Sequence, residues 1–445
     1  MCPGYYSIRH ILFFIGCIVF NGSLAQKKFD TTQVGILDSV VVTAFRIQVK
    51  GQTIPASIAQ ISRKTLTQEV NGTLLPAFNL VAGVRMEQRS EGSYRLAIRG
   101  SSLRSPFGVR NVKVYWNDVP FSDPSGNTYL NIIPFALING IDIIKGPVGA
   151  AYGLGTGGAV LLQSNFDTDS AMHTNATIQL RAGSFGYFGQ DLRVTLQQKN
   201  VQQTFFVSNE KIDGWRDQSG STKKNITWLG TRTKNKHKIK AMLLFTDLMY
   251  QTPGGLTLAQ MQQNPRSARQ ATTTLPSAVT QQTAVYNKTW LGSIHHNFQL
   301  TKNIDWQNFM VGANTNFKNP FITNYEIRHE KNASFGSHLI MRVQKPIGDL
   351  KFVIGGEWQV QDANINNYGN KRGVRDTLQF ADQITTQQGF LFANASLRFK
   401  KKWFLELGMS NAFMRYDYYR STVLTETAQS KSNNGLLWQR RYRSF

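Results

Sequence analysis

The sequence predicts a mainly β protein, in which a small α+β domain is followed by antiparallel strands of a transmembrane β-barrel. Three observations lead to this prediction. An export signal at the N-terminus is followed by no apolar run long enough for a transmembrane helix. Residues 37–165 combine short β-prone runs, Pro and Gly turns and one helix candidate. From Phe166 onward, segments of roughly ten residues alternate between apolar and polar side chains, which is the period of a β-strand.

Residues 1–25 are interpreted as a signal peptide. Residues 11–20 are apolar but too few to span a bilayer, and Ser23-Leu24-Ala25 offers small residues to a signal peptidase. A lipoprotein signal ending at Cys17 is the alternative. Cys2 is the only other cysteine. Removal of this segment therefore excludes a disulfide scaffold and a thiolate zinc site from the mature chain.

The chain is strongly basic, with 50 Lys plus Arg, 26 Asp plus Glu and a formal net charge of +24. The basic residues are spread along the strands rather than gathered into a stripe, which argues against nucleic acid as a partner. The charge favours a lumen and loops that face anions, either phosphorylated surface lipids or an anionic substrate.

No pattern for catalysis, a metal or a cofactor is found. HExxH, GxSxG and EF-hand patterns do not occur, so the chain is predicted not to be an enzyme. Residues 153–158 fit GxGxxG, but a strand-like run follows them where a dinucleotide site needs a helix. His295 and His296 are adjacent, and in a strand their rings point to opposite faces, so they cannot chelate one metal ion together.

The N-terminal region divides into a lead and a domain. Residues 26–36 are polar and without periodicity, and are interpreted as a flexible lead. Residues 71–80 form the helix candidate, interrupted by Pro76. Strands are predicted at 40–43, 95–98, 112–115, 141–145 and 159–163.

The alternation of the C-terminal region is clear at residues 350–360. One face of this segment holds Leu350, Phe352, Ile354, Trp358 and Val360, and the other holds Lys351, Glu357 and Gln359. A soluble β-sandwich gives the same alternation, so both architectures stay open at this point. Strand length, the export signal and uneven connections favour the barrel. A tight turn is predicted at Asn200, whereas 251–282 is a long polar loop.

Several short motifs follow one another between residues 37 and 165. Residues 37–44 read LDSVVVTA, a β-prone segment that could add to a partner's sheet or be an ordinary first strand. The later motifs are LAIRG at 96–100, VKVYWNDVP at 112–120, IDIIKGP at 141–147, AYG at 151–153 and GGAV at 157–160. In this order they resemble the plug domain of TonB-dependent outer-membrane transporters. Asn117-Asp118 replaces the usual Asp-Gly of that family, and Lys145 replaces its usual Arg.

The resemblance implies an organisation for the whole chain. Residues 37–44 would be the TonB box, 45–165 the plug and 166–445 a partial transmembrane β-barrel. TonB would contact Asp38, Ser39, Val40, Val41, Val42, Thr43 and Ala44. The plug motif would comprise Arg99, Gly100, Asp118, Pro120, Lys145, Gly146, Pro147, Tyr152, Gly153, Gly157 and Gly158.

The resemblance also implies a function. Such a protein lies in the outer membrane of a Gram-negative bacterium, contacts its lipid, and binds a scarce external ligand such as an iron–siderophore chelate. TonB, with its inner-membrane energising complex, drives import into the periplasm. The expected ligand contacts lie in loops 104–108, 121–128 and 251–282, namely Arg104, Phe107, Asp123, Arg266 and Arg269. The alternatives are a secreted or surface binding protein similar to a lectin or adhesin, and a non-functional truncated fragment.

The length of the C-terminal region conflicts with a complete barrel of this family. At roughly 24 residues per strand and connection, 166–445 holds about eleven or twelve strands, or about half of the roughly 22 that a barrel of this family needs. The expectation is therefore a C-terminally truncated transporter. A smaller complete barrel is the alternative.

Overall fold

The computed structural model describes most of the chain after residue 40. The described residues are 41–44, 46–50, 56–68, 73–101, 108–146, 148–155, 157–164, 172–346, 348–400, 402–422 and 437–441. The predicted signal peptide 1–25, the lead 26–36 and the first half of the predicted TonB box lie outside the described residues, so their predictions stay predictions.

The N-terminal domain contains nine strands and three short helices in the described residues. The strands are β1 Val41–Ala44, β2 Ile47–Lys50, β3 Ile58–Ser62, β4 Val84–Gln88, β5 Tyr94–Ile98, β6 Val112–Trp116, β7 Val119–Pro120, β8 Ile138–Lys145 and β9 Gly158–Ser164. The helices are α1 Arg63–Gln68, α2 Leu75–Asn79 and α3 Gly149–Tyr152, with 3₁₀ turns at Leu130–Ile132 and Phe135–Leu137.

A five-stranded sheet organises this domain, in the order β3-β8-β9-β6-β7. Strands β6 and β9 are parallel, and their other neighbours are antiparallel. Trp116, Ile133, Ile141 and Val160 are fully buried at its core. The five predicted strands are confirmed to within a few residues. The helix predicted over 71–80 is shorter, because Pro76 stands in its first turn and α2 begins only at Leu75.

The C-terminal region forms one antiparallel sheet of 12 strands, each hydrogen-bonded to the next along the chain. The strands are β10 His173–Gly183, β11 Tyr187–Gln198, β12 Val201–Ile212, β13 Ser221–Lys234, β14 His237–Gln251, β15 Ala284–Thr301, β16 Ile304–Pro320, β17 Asn324–Lys345, β18 Gly348–Lys371, β19 Val374–Phe399, β20 Trp403–Thr422 and β21 Leu437–Arg441. This agrees with the eleven or twelve strands expected from the sequence. One helix, α4 Leu258–Gln263, lies in the loop between β14 and β15.

Strand lengths differ from the prediction. The sequence suggested about ten residues, but β18 has 24 and β19 has 26. Antiparallel pairing continues beyond the alternating apolar segment, because each added pair of residues satisfies its own backbone groups. The tight turn at Asn200 and the long loop after residue 251 are both present.

The two faces of the large sheet decide between barrel and sandwich. Apolar side chains are exposed: Leu391 is 70% accessible, Trp403 72% and Met409 67%. Polar side chains on the opposite face are buried, with Gln359 and Asn394 at 3% and 4%. A sandwich buries its apolar face. The observed arrangement is that of a membrane sheet, whose apolar face meets lipid, and it argues against the secreted alternative.

The N-terminal domain packs against the polar face of this sheet. The Lys223 ammonium donates to the carbonyl of Ile133 at 2.7 Å, and the Thr246 hydroxyl donates to the carbonyl of Ile132 at 3.0 Å. His295 points inward and is buried, whereas His296 stacks on His237 on the outer face, so the predicted divergence of the two rings is confirmed. No helix among the described residues is long and apolar enough to cross a membrane.

Candidate ligand site

A cavity of about 790 Å³ lies where the N-terminal domain meets the long loops of the sheet. The domain contributes the β4–β5 turn with Arg89, the start of β5 with Arg95, and the segments 108–110 and 127–131. The sheet contributes residues 252–255 of the long loop and side chains near the ends of its strands. A cavity of this volume accommodates a ligand the size of a metal chelate.

Five arginines line the cavity and no carboxylate does; they are Arg89, Arg95, Arg110, Arg216 and Arg328. Two of them pair with acids outside the lining. Arg328 contacts Glu326 at 2.8 Å and Glu330 at 3.1 Å, and Arg95 lies 3.5 Å from Glu87. Arg110 and Arg216 have no ion pair in the described part of the chain. The cavity therefore presents an excess of positive charge.

Aromatic side chains form much of the remaining wall. Tyr94, Tyr129, Tyr250, Phe317 and Phe321 line the cavity. The guanidinium carbon of Arg328 lies 4.0 Å from the centre of the Phe317 ring, which holds the arginine in place. Burial raises the pKa of Tyr94 above its usual value, so this phenol stays neutral and can donate a hydrogen bond. The wall thus offers both apolar contact and polar groups.

The long loop that closes one side is held by hydrogen bonds to its own backbone and to the β12–β13 loop. Arg216 donates to the carbonyl of Ser267 from Nε at 3.2 Å and from Nη2 at 2.9 Å. Arg269 donates to the carbonyl of Pro276 at 2.8 Å, and Arg266 to that of Trp215 at 3.1 Å. The cavity mouth is therefore built from braced loops.

The structure places the predicted ligand contacts as follows. Arg104 and Phe107 lie outside the described residues. Arg266 and Arg269 lie in the long loop, outside the cavity lining, and their guanidinium groups hold the loop itself. Asp123 is buried and accepts hydrogen bonds from the Ser125 hydroxyl at 2.7 Å and the Asn127 amide at 2.9 Å. Its contacts shape the neighbouring plug loop, whose residue Asn127 reaches the cavity.

The cavity arginines were missed by sequence reasoning. They come from two plug segments, one barrel loop and one strand, and no motif links them. The only available signal was the high net charge, which favoured anion-facing loops without saying which arginines would converge. Within the described residues, no group of three or more His, Cys, Asp or Glu could hold a metal ion.

Three motif positions, Asn117, Asp118 and Lys145, make contacts that hold the plug together or join it to the sheet. Asn117 and Asp118 both have positive φ, 52° and 72°, and form the two-residue turn between β6 and β7. Asn and Asp tolerate this conformation better than other non-glycine residues, which explains how they replace Asp-Gly. Asp118 forms an ion pair with Lys240 of the sheet at 2.8 Å. Lys145 donates to the carbonyl of Ala82 at 3.1 Å.

The motif glycines mark close approaches of the chain. A Cβ at Gly153 would lie 2.6 Å from the Phe390 ring, and one at Gly157 would lie 2.6 Å from the Ser101 hydroxyl. Gly158 opens β9 with φ of +134°, and a Cβ there would lie 2.1 Å from the carbonyl oxygen of Ile144. Gly100 has φ of +76° with open space around it, and Pro147 lies outside the described residues. Tight packing, not nucleotide binding, explains the glycines of 153–158.

Arg46 follows the predicted TonB box and anchors it. The backbone of β1 pairs with β2 in a hairpin, with Val41 opposite Lys50. Arg46, in the turn, is buried and forms an ion pair with Glu357 of β18. Its Nε donates to the carbonyl of Ala151 at 3.2 Å, and its amide donates to the Tyr152 hydroxyl at 3.2 Å.

A family model agrees with these observations. Residues 50–160 match the TonB-dependent receptor plug domain. The chain thus contains a domain of the TonB-dependent receptor plug family. Among curated relatives, the vitamin B12 transporter BtuB of Vibrio vulnificus strain CMCP6 is 28% identical over 149 residues, covering 33% of this chain and 23% of the relative. The corresponding BtuB of strain YJ016 is 28% identical over 183 residues, covering 40% and 28%.

Solved structures extend the likeness of fold over most of the chain. Unliganded ferric citrate transporter FecA matches with a TM-score of 0.68 at 13% identity, covering 84% of this chain and 58% of FecA. The yersiniabactin receptor FyuA of Yersinia pestis gives 0.68 at 12% identity, covering 87% and 60%. The siderophore receptor PiuA of Acinetobacter baumannii gives 0.67 at 14% identity, covering 89% and 63%. The match thus spans about three fifths of these structures and about a quarter of the curated relatives.

The comparisons confirm the fold class predicted from the sequence, and they agree with the predicted family and outer-membrane location. The relatives are named as transporters and receptors, which confirms the prediction that the chain is not an enzyme.

Proposed function

We propose that this TonB-dependent receptor captures an anionic small molecule, such as an iron chelate, and delivers it through the outer membrane. The observation that carries the proposal is the cavity lined by five arginines and no carboxylate. A guanidinium group donates two parallel hydrogen bonds to carboxylate or phosphate oxygens, so several of them in one cavity favour an anion with many oxygens.

The position of the cavity supports capture from outside. Plug segments and long sheet loops both line it, so a bound ligand would contact the plug directly. Movement of the plug could then release the ligand. In this proposal the long-loop side faces the exterior, and the predicted contacts Arg104, Phe107, Asp123, Arg266 and Arg269 act by binding ligand or by shaping the loops around it.

TonB is the proposed source of energy. The segment Val41–Ala44 already has β-strand backbone conformation, which suits the addition of a partner's strand. In an uptake assay, Val41→Pro would abolish import, because proline removes an amide donor. Ligand binding to the purified protein would be unchanged. Uptake that survives this substitution would refute the box assignment for residues 37–44.

Ligand binding is tested on the full chain purified in detergent, with ferric citrate and cyanocobalamin as probes. Cyanocobalamin is included because the curated relatives are named vitamin B12 transporters. Arg110→Gln should weaken ferric citrate binding about tenfold or more, as expected for one charge-assisted hydrogen bond. Arg85→Gln is the matched control, since Arg85 is an exposed plug residue outside the cavity lining.

Two results would overturn the anion proposal. One is equal weakening by Arg85→Gln and Arg110→Gln, which would reflect net charge rather than the cavity. The other is tight cyanocobalamin binding together with no ferric citrate binding, which would favour the cobalamin class.

A further inference from the structure

Lysines are segregated to one rim of the large sheet. The five hairpins β11–β12, β13–β14, β15–β16, β17–β18 and β19–β20 turn at the same end, which we call the short-turn rim. Their turn residues read KN, NK, KN, PI and KKK. In and next to these turns, the described lysines are Lys199, Lys234, Lys236, Lys302, Lys345, Lys400 and Lys402, and all are exposed. None of the five turns contains an acidic residue.

The opposite rim has a different composition. The connection 423–436 to β21 lies outside the described residues and contains Lys431, and Lys211 and Lys371 lie in strands near this rim. Its other connections are 184–186, 213–220, 252–283, 321–323 and 372–373, and they contain no lysine. Their cations are arginines, and Asp213 and Asp217 accompany them. The difference lies in the turns themselves: four of the five short turns contain lysine, whereas the five opposite connections between β10 and β20 contain none, and overall basic composition does not explain this.

Described carboxylates do not neutralise the positive charge of the short-turn rim. None of its seven described lysines has an ion pair with a described carboxylate. The two acids nearest these turns, Asp305 and Asp349, are already paired with Arg342 and Arg398. The rim therefore carries a field available to an external anion.

Aromatic side chains mark where the bilayer ends at this rim. On the outer face, Trp403 is 72% exposed next to Lys402, and Trp306 is 40% exposed four residues after Lys302. Tryptophan at the end of an exposed apolar face lies at the lipid–water interface. Lysines just beyond this belt lie at the level of lipid phosphates and can extend their ammonium groups toward them.

We propose that the short-turn rim is a binding surface for anionic phospholipid in the adjacent leaflet, with a preference for phosphatidylglycerol over phosphatidylcholine. The lysines supply hydrated point charges that suit a headgroup surface rather than one planar ligand. The outer apolar face continues directly into this rim, so the lipid that covers the face also reaches the lysines. The surface is distinct from the ligand cavity, which lies between the plug and the long loops of the opposite rim.

The test compares two variants of equal charge in the full chain in detergent. The rim variant carries Lys→Gln at Lys199, Lys234, Lys302 and Lys345. The control variant carries Lys→Gln at Lys211, Lys288, Lys318 and Lys371, which are exposed and lie toward the long-loop end of their strands. Native mass spectrometry measures the apparent affinities of added phosphatidylglycerol and phosphatidylcholine.

The rim variant should lose at least tenfold in selectivity for phosphatidylglycerol, since each lysine near an anionic surface contributes about fivefold. The control should change less than twofold. Replacing the same four rim lysines with arginine should retain the selectivity, which separates charge from a folding defect. Selectivity in the unmodified chain should fall as salt rises from roughly 0.05 to 0.5 M.

Equal loss in both Lys→Gln variants would overturn the proposal, since net charge alone would explain it. Unchanged selectivity in the rim variant would overturn it as well. Polyglutamate is the final probe. If polyglutamate binding depends on the rim lysines while selectivity for phosphatidylglycerol is absent, the lipid proposal is overturned and the partner is an acidic protein.

Discussion

Arg46 and Glu357 form a buried ion pair between the hairpin that follows the predicted TonB box and the inner wall of the large sheet. Their side chains are only 5% and 2% accessible. The Tyr115 hydroxyl donates to the other oxygen of Glu357 at 2.9 Å, and the Arg46 guanidinium lies 4.4 Å from the Tyr115 ring centre. Burial disfavours the charged guanidinium, but Glu357 raises the pKa of Arg46 above its usual value, so the guanidinium stays charged.

Arg46→Gln should loosen the plug. The substitution leaves Glu357 buried without its cation, which costs about 3–5 kcal/mol in comparable sites. The measurement is the temperature at which the plug of the detergent-solubilised chain becomes sensitive to protease. The double variant Arg46→Gln/Glu357→Gln should recover part of the loss, because it removes the uncompensated charge. A double variant as unstable as the sum of the single variants would show that the two residues act independently.

Plug seating should depend on pH through Asp118. Burial alone would raise the pKa of Asp118, but the Lys240 ammonium at 2.8 Å, with help from His295, lowers it below its usual range. A lowered pKa in the folded state stabilises the protein above the unfolded value of about 3.9, and this contribution is lost as pH falls below it.

Asp118→Asn should therefore reduce protease protection of the plug at pH 7. The difference from the unmodified chain should shrink as pH falls below about 4. Lys240→Gln serves as the partner control and should lose the same pH-dependent part of the protease protection. A difference that stays constant from pH 7 to pH 3 would contradict the role of this ion pair.

Two plug glycines should respond differently to alanine. At Gly100, the alanine methyl group would enter open space. The only cost is that of holding alanine at positive φ, on the order of 1–2 kcal/mol. At Gly158, the new Cβ would lie 2.1 Å from the Ile144 carbonyl oxygen, so β8 and β9 must separate. Gly158→Ala should lower the protease-onset temperature of the plug clearly more than Gly100→Ala. A larger drop in onset temperature for Gly100→Ala than for Gly158→Ala would show that the close β8–β9 contact does not determine plug stability.

Arg216 should hold the long loop closed over the cavity. Its two hydrogen bonds to the Ser267 carbonyl join the β12–β13 loop to residues 252–283. Arg216→Ala should increase cleavage within 252–283 by about tenfold, the effect of losing a charged hydrogen bond. Gln262→Ala, an exposed change in α4, is the control. Equal cleavage of both variants would show that contacts other than those of Arg216 keep the loop ordered.

Much of the fold could be predicted from the sequence because it depends on local patterns. Alternation such as that at 350–360 determined the strands, and the turn at Asn200 separated two of them. Pro76 shortened α2 for the reason stated from the sequence. The plug motif was visible because its residues follow one another at fixed spacing. The choice between barrel and sandwich needed more, since alternation shows that two faces differ without showing which one is buried.

The candidate site was only partly predictable. The sequence indicated the loops and the sign of the charge, and it named Asp123, Arg266 and Arg269. The contacts of Arg266 and Arg269 are within or between loops, and Asp123 also accepts a hydrogen bond from Gln361 of β18 at 3.5 Å. It could not bring Arg95 and Arg110 of the plug together with Arg216 and Arg328 of the sheet, because the two groups are far apart in the chain and meet only when the plug packs against the sheet.

By itself, the sequence determined the strand content, the order of plug and barrel, and the basic character of the protein, since periodicity, motif spacing and charge are properties of neighbouring residues. The tertiary structure alone decided which arginines face one cavity, that Arg46 pairs with Glu357, and that lysines gather at one rim. Those relationships depend on strand register and on packing between segments distant in sequence, where a shift of one residue would turn each side chain to the opposite face.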